Sequence, residues 1–576
     1  MSAHPPRPAQ RLGWLLWEDR TDIIVLVVYA LMTALLALAV PLASQALVNT
    51  IAAGVSLQPL IVLTAAVLVG LLFAGLIQVL RDSLVEVLQQ RVFARVALRL
   101  ARNLPRVEAR ALSEHHGSEL MNRFFDVLTV QKTWSKIMQD GPGAVVEIMI
   151  GLSLLSLYGA SMLALALALV ASGVFVLVLC SFGGLRTQLR ESHEKYLVAG
   201  WLEEMSECQA ALKLSAASDF ALDRTDALVR GYVLARRAHF RVLLRHLTAH
   251  YLLQAVAIAA LLGLGGWMVI TQSFTLGQLV AAELVLMSVM KAADKLVKLV
   301  DPWYDLLTAL EKVGVLLDLP LESRGERSLP GKSEGIEISA QSVRFAYGDH
   351  VVVDDIDLHI LAGEKVVLIG PNGSGKTTFG QMAVGLLSPD RGLLTLDGID
   401  VRDVTHEALN QQVSVVWGRN EIFDSTLESN VVLGRPHSTA ELQQALEQAA
   451  VSDHLPWLPQ GLRTPLVRGG HNLSRGQWVR VQFARALLKQ PRLIFLDDAF
   501  EGVDPQTRHD LLDRLFGGPW TLLCVSHRLE TVERADRAVV IEKGRIVEEG
   551  PPKTLLEKRT SRLRAAMALE KESTRV

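Results

Sequence analysis

The most informative stretch of this chain is Gly370-Pro371-Asn372-Gly373-Ser374-Gly375-Lys376-Thr377-Thr378. An apolar run before it, residues 365–369, predicts a buried strand, and residues 379–387 after it predict a helix. A glycine-rich turn between strand and helix lets successive main-chain N–H groups converge on an anion, and the helix dipole adds to their attraction. The turn therefore predicts a cradle for nucleotide phosphates, in which Lys376 reaches the β- and γ-phosphates and the Thr377 hydroxyl ligates Mg²⁺.

Composition places the chain among membrane proteins with more than one domain. Its 576 residues are too many for one core, and 50% of them are hydrophobic while only 20% are charged. The formal net charge of −2 provides no basic field for recruiting nucleic acid. Cys180, Cys208 and Cys524 are scattered at no metal-binding or redox spacing, so we interpret them as reduced packing residues.

Long uncharged runs in the first half predict membrane helices. Residues 23–80 carry no charge and break at residues 49–59, which gives two spans long enough to cross a bilayer. Residues 144–185 carry only Glu147 and break near residues 158–161, and residues 251–290 carry only Glu283 and break at residues 271–275. The sequence therefore predicts six spans.

Lysine and arginine set the predicted orientation. The three short turns between paired spans contain neither residue, whereas residues 81–110 and 186–245 on the opposite side are rich in both. Both termini are therefore expected in the cytoplasm. Apolar residues from Val85 to Leu100 recur at helical spacing, which predicts that the second span continues into the cytoplasm as one helix. Short cross-pieces are expected near residues 105–117 and 217–223, and an interfacial helix near residues 9–20.

Two acidic residues lie within the predicted spans. An ionisable group at such depth is costly and is a candidate for function. Glu147 is close to the cytoplasmic mouth, where solvation or pairing accounts for it. Glu283 lies deeper, and for this residue a structural role and a place on a substrate path both stay open.

The second half predicts an α/β domain. Residues 319–335 are rich in Pro, Gly, Ser and charge and predict a linker, after which short β-branched runs alternate with helical segments. The apolar run at residues 493–496 ends in Asp497 and Asp498. An acid at the carboxyl end of a buried parallel strand, beside the phosphate turn, is suited to Mg²⁺, which we assign to Asp497. Asp498 is expected to face the γ-phosphate and to polarise the attacking water.

With these motifs the chain resembles the ABC transporter superfamily, specifically exporters with six spans fused ahead of one nucleotide-binding domain. The motif with the greatest weight is Leu473-Ser474-Arg475-Gly476-Gln477, close to the family signature LSGGQ and followed by a predicted helix. The resemblance implies that this turn caps the γ-phosphate of ATP held by a second subunit. It also implies that Tyr347 stacks on adenine, that Asp504 links the two active sites and that His527 contacts the γ-phosphate.

Several positions depart from the family pattern. Asp498 stands where most members have glutamate, so its carboxylate is one methylene shorter. Gly418, beside Trp417, occupies the place of the usual glutamine in the loop that senses the membrane domain. Arg475 replaces a glycine of the signature, and Arg468 stands in a segment where exporters often carry an acid. These departures bear on hydrolysis and coupling rather than on ATP binding.

The sequence thus predicts an α-helical six-span transmembrane domain with long cytoplasmic helices, followed by an α/β P-loop ATPase domain. The expected boundaries are residues 1–318 for the membrane domain, 319–335 for the linker, 336–555 for the nucleotide-binding domain and 556–576 for a C-terminal tail. Catalysis is assigned to Asp498 and His527, and the cofactors are ATP and Mg²⁺.

The resemblance implies an ATP hydrolase that exports its cargo by alternating access. The chain would act as a homodimer in a bacterial inner membrane. The first spans, around residues 39–49, look like those of peptide and protein exporters. That likeness predicts a peptide or protein cargo, with a periplasmic adaptor and an outer-membrane channel as further partners. Two alternatives stay open: a drug or lipid exporter, and the weakly hydrolysing regulatory half of a heterodimer.

Overall fold

The computed structural model describes residues 10–11, 13, 17–53, 57–113, 121–322, 324–331, 334–451 and 458–573. The predicted interfacial helix at residues 9–20 and the first cross-piece at residues 105–117 lie partly outside these ranges. The chain divides into two compact units, one of residues 1–107 and 111–320 and the other of residues 108–110 and 321–576.

The first unit is entirely helical in the described ranges. Its α-helices are α1 (Arg20–Ala37), α2 (Ala39–Ala53), α3 (Leu57–Asn103), α4 (Ala109–Ser113), α5 (Asp126–Ser156), α6 (Ala160–Cys180), α7 (Gly184–Glu207), α8 (Gln209–Leu214), α9 (Ser218–Ile270), α10 (Leu276–Lys298) and α11 (Val300–Leu317). Two 3₁₀ turns, Leu104–Arg106 and Arg123–Phe125, complete the set. The short helix α4 straddles the limit between the two units.

Five helical segments in the described residues are long and apolar enough to cross a membrane: Arg20–Ile51, Leu60–Arg106, Ala160–Cys180, Ser218–Ile270 and Leu276–Leu317. They account for five of the six predicted spans. The third predicted span begins at residue 144 within α5 and does not reach that standard, so the count of six stays a prediction. Asp140 and Glu147 in α5 shorten its uncharged stretch.

The long helices extend well beyond a bilayer. Helix α3 has 47 residues and α9 has 53, so at 1.5 Å per residue they are roughly 70 and 80 Å long, against about 30 Å of hydrocarbon. The apolar stripe predicted on α3 is buried at Val85, Leu88, Val92 and Val96, where it packs against α1, α5 and α11. This packing confirms that the second span and its extension form one helix.

One local prediction in this unit is wrong. The second cross-piece is not at residues 217–223, because the short helix Gln209–Leu214 precedes it and α9 already begins at Ser218. The first span is interrupted three residues before Pro41: α1 ends at Ala37 and α2 begins at Ala39. Proline lacks an N–H and its ring crowds the preceding turn, so the change of direction falls a few residues earlier.

The described residues of the second unit form three sheets. Its strands are β1 (Ile338–Tyr347), β2 (His350–Ile360), β3 (Lys365–Ile369), β4 (Arg391–Leu396), β5 (Ile399–Asp400), β6 (Val413–Trp417), β7 (Ser425–Thr426), β8 (Pro465–Leu466), β9 (Leu493–Asp497), β10 (Thr521–Val525), β11 (Arg537–Glu542) and β12 (Arg545–Gly550). The central sheet has the order β12-β11-β3-β10-β9-β6, and β6, β9, β10, β3 and β11 pair in parallel. This arrangement confirms the largely parallel sheet predicted from the alternation of strands and helices.

The helices of this unit are α12 (Lys376–Ala383), α13 (His406–Gln412), α14 (Leu427–Val432), α15 (Thr439–Gln448), α16 (Arg475–Leu487), α17 (Pro505–Phe516), α18 (Leu529–Arg534), α19 (Pro552–Glu557) and α20 (Arg562–Ser573). Two apolar clusters pack against the central sheet: one includes Phe379 and Phe495, and the other includes Phe483 and Leu496. The predicted tail at residues 556–576 contains α20, which packs Leu563 and Met567 against the sheet.

Candidate functional site

The carboxyl ends of four parallel strands meet at one edge of the central sheet. Leu368 of β3 pairs with Val525 of β10, Val525 pairs with Asp497 of β9, and Asp497 pairs with Trp417 of β6. The segments that leave these strands therefore start side by side: the phosphate turn, His527, Asp498 and Gly418. Ligands of open α/β sheets bind at this edge.

The phosphate turn requires glycine at two of its positions. Gly370 has φ +147°, and a Cβ there would lie 2.0 Å from the main-chain oxygen of Ile541. Gly375 has φ +99°, and its Cβ would lie 2.6 Å from the oxygen of Val352. Since neither contact is with a movable side chain, only glycine lets the turn lie this close to its neighbours. Helix α12 starts at Lys376, earlier than the predicted residue 379.

The Lys376 side chain is folded back over its own turn. It is buried, and its Nζ donates to the main-chain oxygens of Gly370 at 2.8 Å and Pro371 at 2.9 Å. Burial lowers the pKa of Lys376, while Asp498 and Asp497 raise it in part. A buried ammonium favours an anionic partner, and the two nearby carboxylates supply part of that negative charge here.

Thr377 and Asp497 are joined directly. The Thr377 hydroxyl donates to Asp497 Oδ1 at 2.7 Å, which connects the start of α12 to the end of β9. Burial raises the pKa of Asp497, and the hydrogen bond from Thr377 partly offsets this. A hydroxyl and a desolvated carboxylate at this spacing form an oxygen donor set that fits Mg²⁺.

Asp498 lies next to His527. Burial raises the pKa of Asp498, and electrostatic interactions with His527 and Lys376 oppose the rise. Its main chain has φ +49°, a left-handed conformation that aspartate adopts more readily than most residues. The Nε2 atom of His527 is buried and has no hydrogen-bond partner among the described residues, and the same is true of Ser374 Oγ. Unpaired donors at this edge fit phosphate oxygens.

The signature turn forms a helix N-terminus, as predicted. Ser474 caps α16, and Ser474 and Gln477 form a reciprocal capping box. Gly476 lies near Asp504, since a Cβ at this glycine would lie 3.3 Å from Asp504 Oδ2. The Asp504 carboxylate caps α17 by accepting from the Thr507 N–H at 2.9 Å, and this hydrogen bond lowers the pKa of Asp504. Leu473 packs against the cluster that holds Phe483.

The other predicted residues fall at separate places. Tyr347 ends β1 and is 36% exposed, with its ring edge-on to Phe345 at 4.9 Å between centroids. Glu283 is half-buried in α10, in the other unit. Glu147 accepts from Ser288 Oγ at 2.5 Å and lies 3.8 Å from Lys295, so it is paired.

Sequence reasoning missed a contact between two unusual residues. Arg475 Nη2 donates to the main-chain oxygen of Gly418 at 3.3 Å and lies 3.5 Å from Glu501 Oε2. Its aliphatic part packs on Gly502, where a Cβ would lie 3.0 Å from Arg475 Cδ. The signal available in the sequence was that both residues depart from the family pattern. Considered one at a time, the two departures gave no indication that the residues are in contact.

Fold and site together define a class, in which a nucleotide-binding domain is joined to membrane-crossing helices. Comparison with known proteins agrees. A family model described as ABC transporter matches residues 353–501. The mycobactin import ATP-binding/permease protein IrtB of Mycolicibacterium thermoresistibile is 32% identical over 325 residues, which is 55% of this chain and 56% of that protein. The ATP-dependent lipid A-core flippase of Chromobacterium violaceum is 29% identical over 494 residues, 83% of this chain and 81% of that protein.

A solved structure shares the fold along nearly the whole chain. The bacterial Atm1-family ABC exporter with ATP bound superimposes with a TM-score of 0.85 at 21% identity, covering 96% of this chain and 99% of the other. Residues 353–501 match the ABC transporter family, and the chain has the fold of an ABC exporter. The chain spans only a little more than half the length of several of the curated relatives that it matches, among them the mycobactin import protein. Five helical segments in the described residues are long and apolar enough to cross a membrane.

Proposed function

We propose that this chain is one half of an ATP-driven exporter that moves an amphiphilic, lipid-like molecule out of the cytoplasm across a bacterial inner membrane. The observation with the greatest weight for ATP use is the hydrogen bond from Thr377 to Asp497, beside the buried Lys376. The alignment with a lipid A-core flippase over 83% of the chain supports a lipid-like cargo. The fold of an exporter supports the transport cycle.

Each side chain at the sheet edge has a role in this proposal. Lys376 and the N–H groups of residues 372–378 hold the phosphates, and Tyr347 stacks on the adenine. Thr377 and Asp497 hold Mg²⁺, which when bound neutralises charge on the phosphate oxygens. Asp498 accepts a hydrogen bond from the attacking water and orients it in line with the γ-phosphate. His527 donates from Nε2 to a γ-phosphate oxygen and so stabilises the charge that develops there.

The proposed active form contains two copies of the chain. The turn at Ser474 in one copy would close over the nucleotide held at Lys376 in the other, with Asp504 linking the two sites. Both anion sites are helix N-termini, so the nucleotide would be held from two sides by aligned N–H groups. Lysine and arginine distribution supports cytoplasmic termini, and Glu283 on α10 is the proposed group on the cargo path.

A second candidate function is the regulatory half of a heterodimer. Two residues favour it: Asp498 has the short carboxylate, and Gly418 has no side chain where a metal- and water-contacting glutamine is usual. Such a chain would bind ATP firmly and hydrolyse it slowly by itself. Its partner would be a related half-transporter that supplies the better catalytic site.

The predicted peptide cargo, the periplasmic adaptor and the outer-membrane channel are not part of this proposal. The relatives reported above are named for lipid A-core and mycobactin, and none of those names refers to a peptide. The lipid alternative is therefore the one adopted. The name of the mycobactin protein refers to import, so direction of transport also has to be measured.

The test is transport by the purified chain alone in proteoliposomes. Magnesium-dependent ATPase and ATP-driven movement of a fluorescent phospholipid between leaflets are expected, and both should disappear in Lys376→Ala. Hydrolysis without lipid movement would reject the cargo class. Nucleotide binding with neither activity would reject the homodimer and favour the regulatory half.

A further inference from the structure

A small apolar pocket lies among four helices of the first unit. Its volume is about 170 Å³, well above the ~10–15 Å³ that a single water needs. Helices α5, α6, α9 and α10 supply its walls. The apolar lining residues are Ile148, Leu152, Leu169, Val170, Gly173 and Val174, with others from the same helices. Three of the four helices are candidate membrane spans, so a hydrocarbon chain from the bilayer suits this space.

One lining residue is polar, and it is buried. His250 is 3% exposed, and its Nε2 has no hydrogen-bond partner among the described residues. Beside it lies Asp294, next in sequence to the lining residue Ala293, and Asp294 Oδ1 is likewise buried without a hydrogen-bond partner. The other oxygen, Oδ2, accepts from Lys298 at 2.7 Å. An unpaired buried donor or acceptor is costly, so this pair calls for a third group.

The separation of the two atoms specifies that group. His250 Nε2 and Asp294 Oδ1 are 3.8 Å apart, too far for a hydrogen bond between them. One oxygen can lie about 2.8 Å from both once the two side chains turn to admit it, since neither atom has water-accessible surface as it stands. It has to accept from the imidazole N–H and donate to the carboxylate, which a hydroxyl does. A second carboxylate would repel Asp294, and an ether oxygen has no proton to donate.

We propose that this pocket binds an aliphatic chain that ends in a hydroxyl group, drawn from the membrane. The chain occupies the apolar pocket, and the hydroxyl bridges His250 and Asp294. This site goes beyond the proposed transport of lipid-like molecules, because its existence does not depend on ATP hydrolysis or on which cargo moves. A buried water bridging the same two atoms is the competing occupant.

Gly173 permits a filling variant. A Cβ there would meet nothing within 4 Å, so Gly173→Leu can fill the pocket without displacing backbone. Gly266 on α9 is equally open and is not among the lining residues, so Gly266→Leu is the matched control. His250→Phe keeps a ring and removes the hydrogen bond.

The experiment is photolabelling of the full chain in lipid nanodiscs, using a dodecanol analogue that carries a diazirine on its chain. Labelled peptides are expected from residues 148–177, 250–253 and 289–297. Unlabelled 1-dodecanol should compete at least tenfold better than dodecyl methyl ether. Labelling should fall at least tenfold in Gly173→Leu and in His250→Phe, and should be unchanged in Gly266→Leu.

Three outcomes would overturn the proposal. Labelling outside these peptides would place the alcohol elsewhere. Equal competition by the ether would show that the hydroxyl is not recognised and that only water bridges the two side chains. Undiminished labelling in Gly173→Leu would show that the pocket is not the binding site. ATPase activity of each variant is measured in parallel, so that loss of the transport function is distinguished from loss of this site.

Discussion

Arg475 of the signature turn donates to the main-chain oxygen of Gly418, the residue found where the family resemblance leads us to expect glutamine. The same guanidinium reaches Glu501, three residues before Asp504. Two substitutions that looked independent in the sequence are thus in contact in the fold. Arg475, at the start of the signature helix α16, therefore supplies the side-chain link to the loop after β6 that Gly418 itself cannot supply.

Gly418→Gln should not restore the family arrangement. A Cβ at residue 418 would lie 2.7 Å from the main-chain oxygen of Asp498 and 3.0 Å from that of Asp497. Because these are backbone atoms, the carboxylates beside the phosphate turn must shift, at a cost of about 1–3 kcal/mol in folding free energy. The expected result is a lower Tm and lower ATPase activity.

Gly331→Gln is the control, since a Cβ at that glycine meets nothing within 4 Å. This control should change neither the Tm nor the ATPase activity. A Gly418→Gln enzyme with raised turnover would mean that the loop has room for a side chain and that its glycine limits the rate.

Arg475→Gly, which recreates the usual signature glycine, should lower kcat. It removes the hydrogen bond to Gly418 and the ion pair with Glu501, and a link worth about 1 kcal/mol corresponds to roughly a fivefold change in rate. The KM for ATP should change less than kcat, because the phosphate turn at Lys376 supplies most contacts to the nucleotide, whereas in the proposed dimer Arg475 approaches it only from the second copy. Arg475→Lys should recover only part of the loss, because an ammonium cannot reach both partners in the geometry of a guanidinium. If the Arg475→Gly variant hydrolysed ATP faster than the native chain, Arg475 would be shown to hinder catalysis.

Asp498→Asn should abolish hydrolysis and leave ATP binding intact. The amide keeps the shape of the side chain but cannot act as the base that orients water. Asp498→Glu is the informative companion. Glutamate restores the usual length, yet at φ +49° it carries backbone strain of about 1–3 kcal/mol that aspartate tolerates better. Single-turnover hydrolysis separates these effects, and a faster glutamate enzyme would show that length, not strain, limits the native site.

Acidification should lower ATPase activity without unfolding the nucleotide-binding domain. Burial raises the pKa of both Asp497 and Asp498, so each carboxylate is protonated at a higher pH than an ordinary aspartate. A carboxyl group with a raised folded-state pKa stabilises the fold below its unfolded pKa, and this contribution is lost as pH rises through the folded value. Between neutral pH and about 4, activity should therefore fall while this pair favours folding. ATPase activity and circular dichroism are measured in parallel as the pH is lowered. Loss of activity and loss of secondary structure over the same pH range would contradict the expectation.

A feature could be predicted from the sequence where its signal lies within a few neighbouring residues, and not where it depends on contacts between distant parts of the chain. The strand before the phosphate turn was predicted at Lys365–Ile369 and is observed there, because a short apolar run followed by glycines is a local pattern. The acids Asp497 and Asp498 and the helix cap Ser474 were also predicted from patterns of neighbouring residues. The contact of Arg475 with Gly418 joins residues 57 apart and depends on how β6 and β9 pair, which no local pattern reports. The same holds for His250 and Asp294, on two helices of the first unit.

His527→Leu should separate stability from activity. The Nε2 atom of His527 is buried and has no hydrogen-bond partner among the described residues, so the nucleotide-free fold bears an unpaired polar group. An apolar side chain of similar size removes that cost of about 1–3 kcal/mol, and the Tm without nucleotide should rise. Hydrolysis should fall sharply, because the donor to the γ-phosphate is gone, and added ATP should raise the Tm of the variant less than that of the native chain. His509→Leu is the control: His509 is half-exposed and pairs with Glu530 and Asp513, so its loss should lower the Tm slightly and leave ATPase unchanged. If His527→Leu instead destabilised the nucleotide-free chain and kept its ATPase, His527 would be a packing residue, and the γ-phosphate contact would have to come from another group at the same sheet edge.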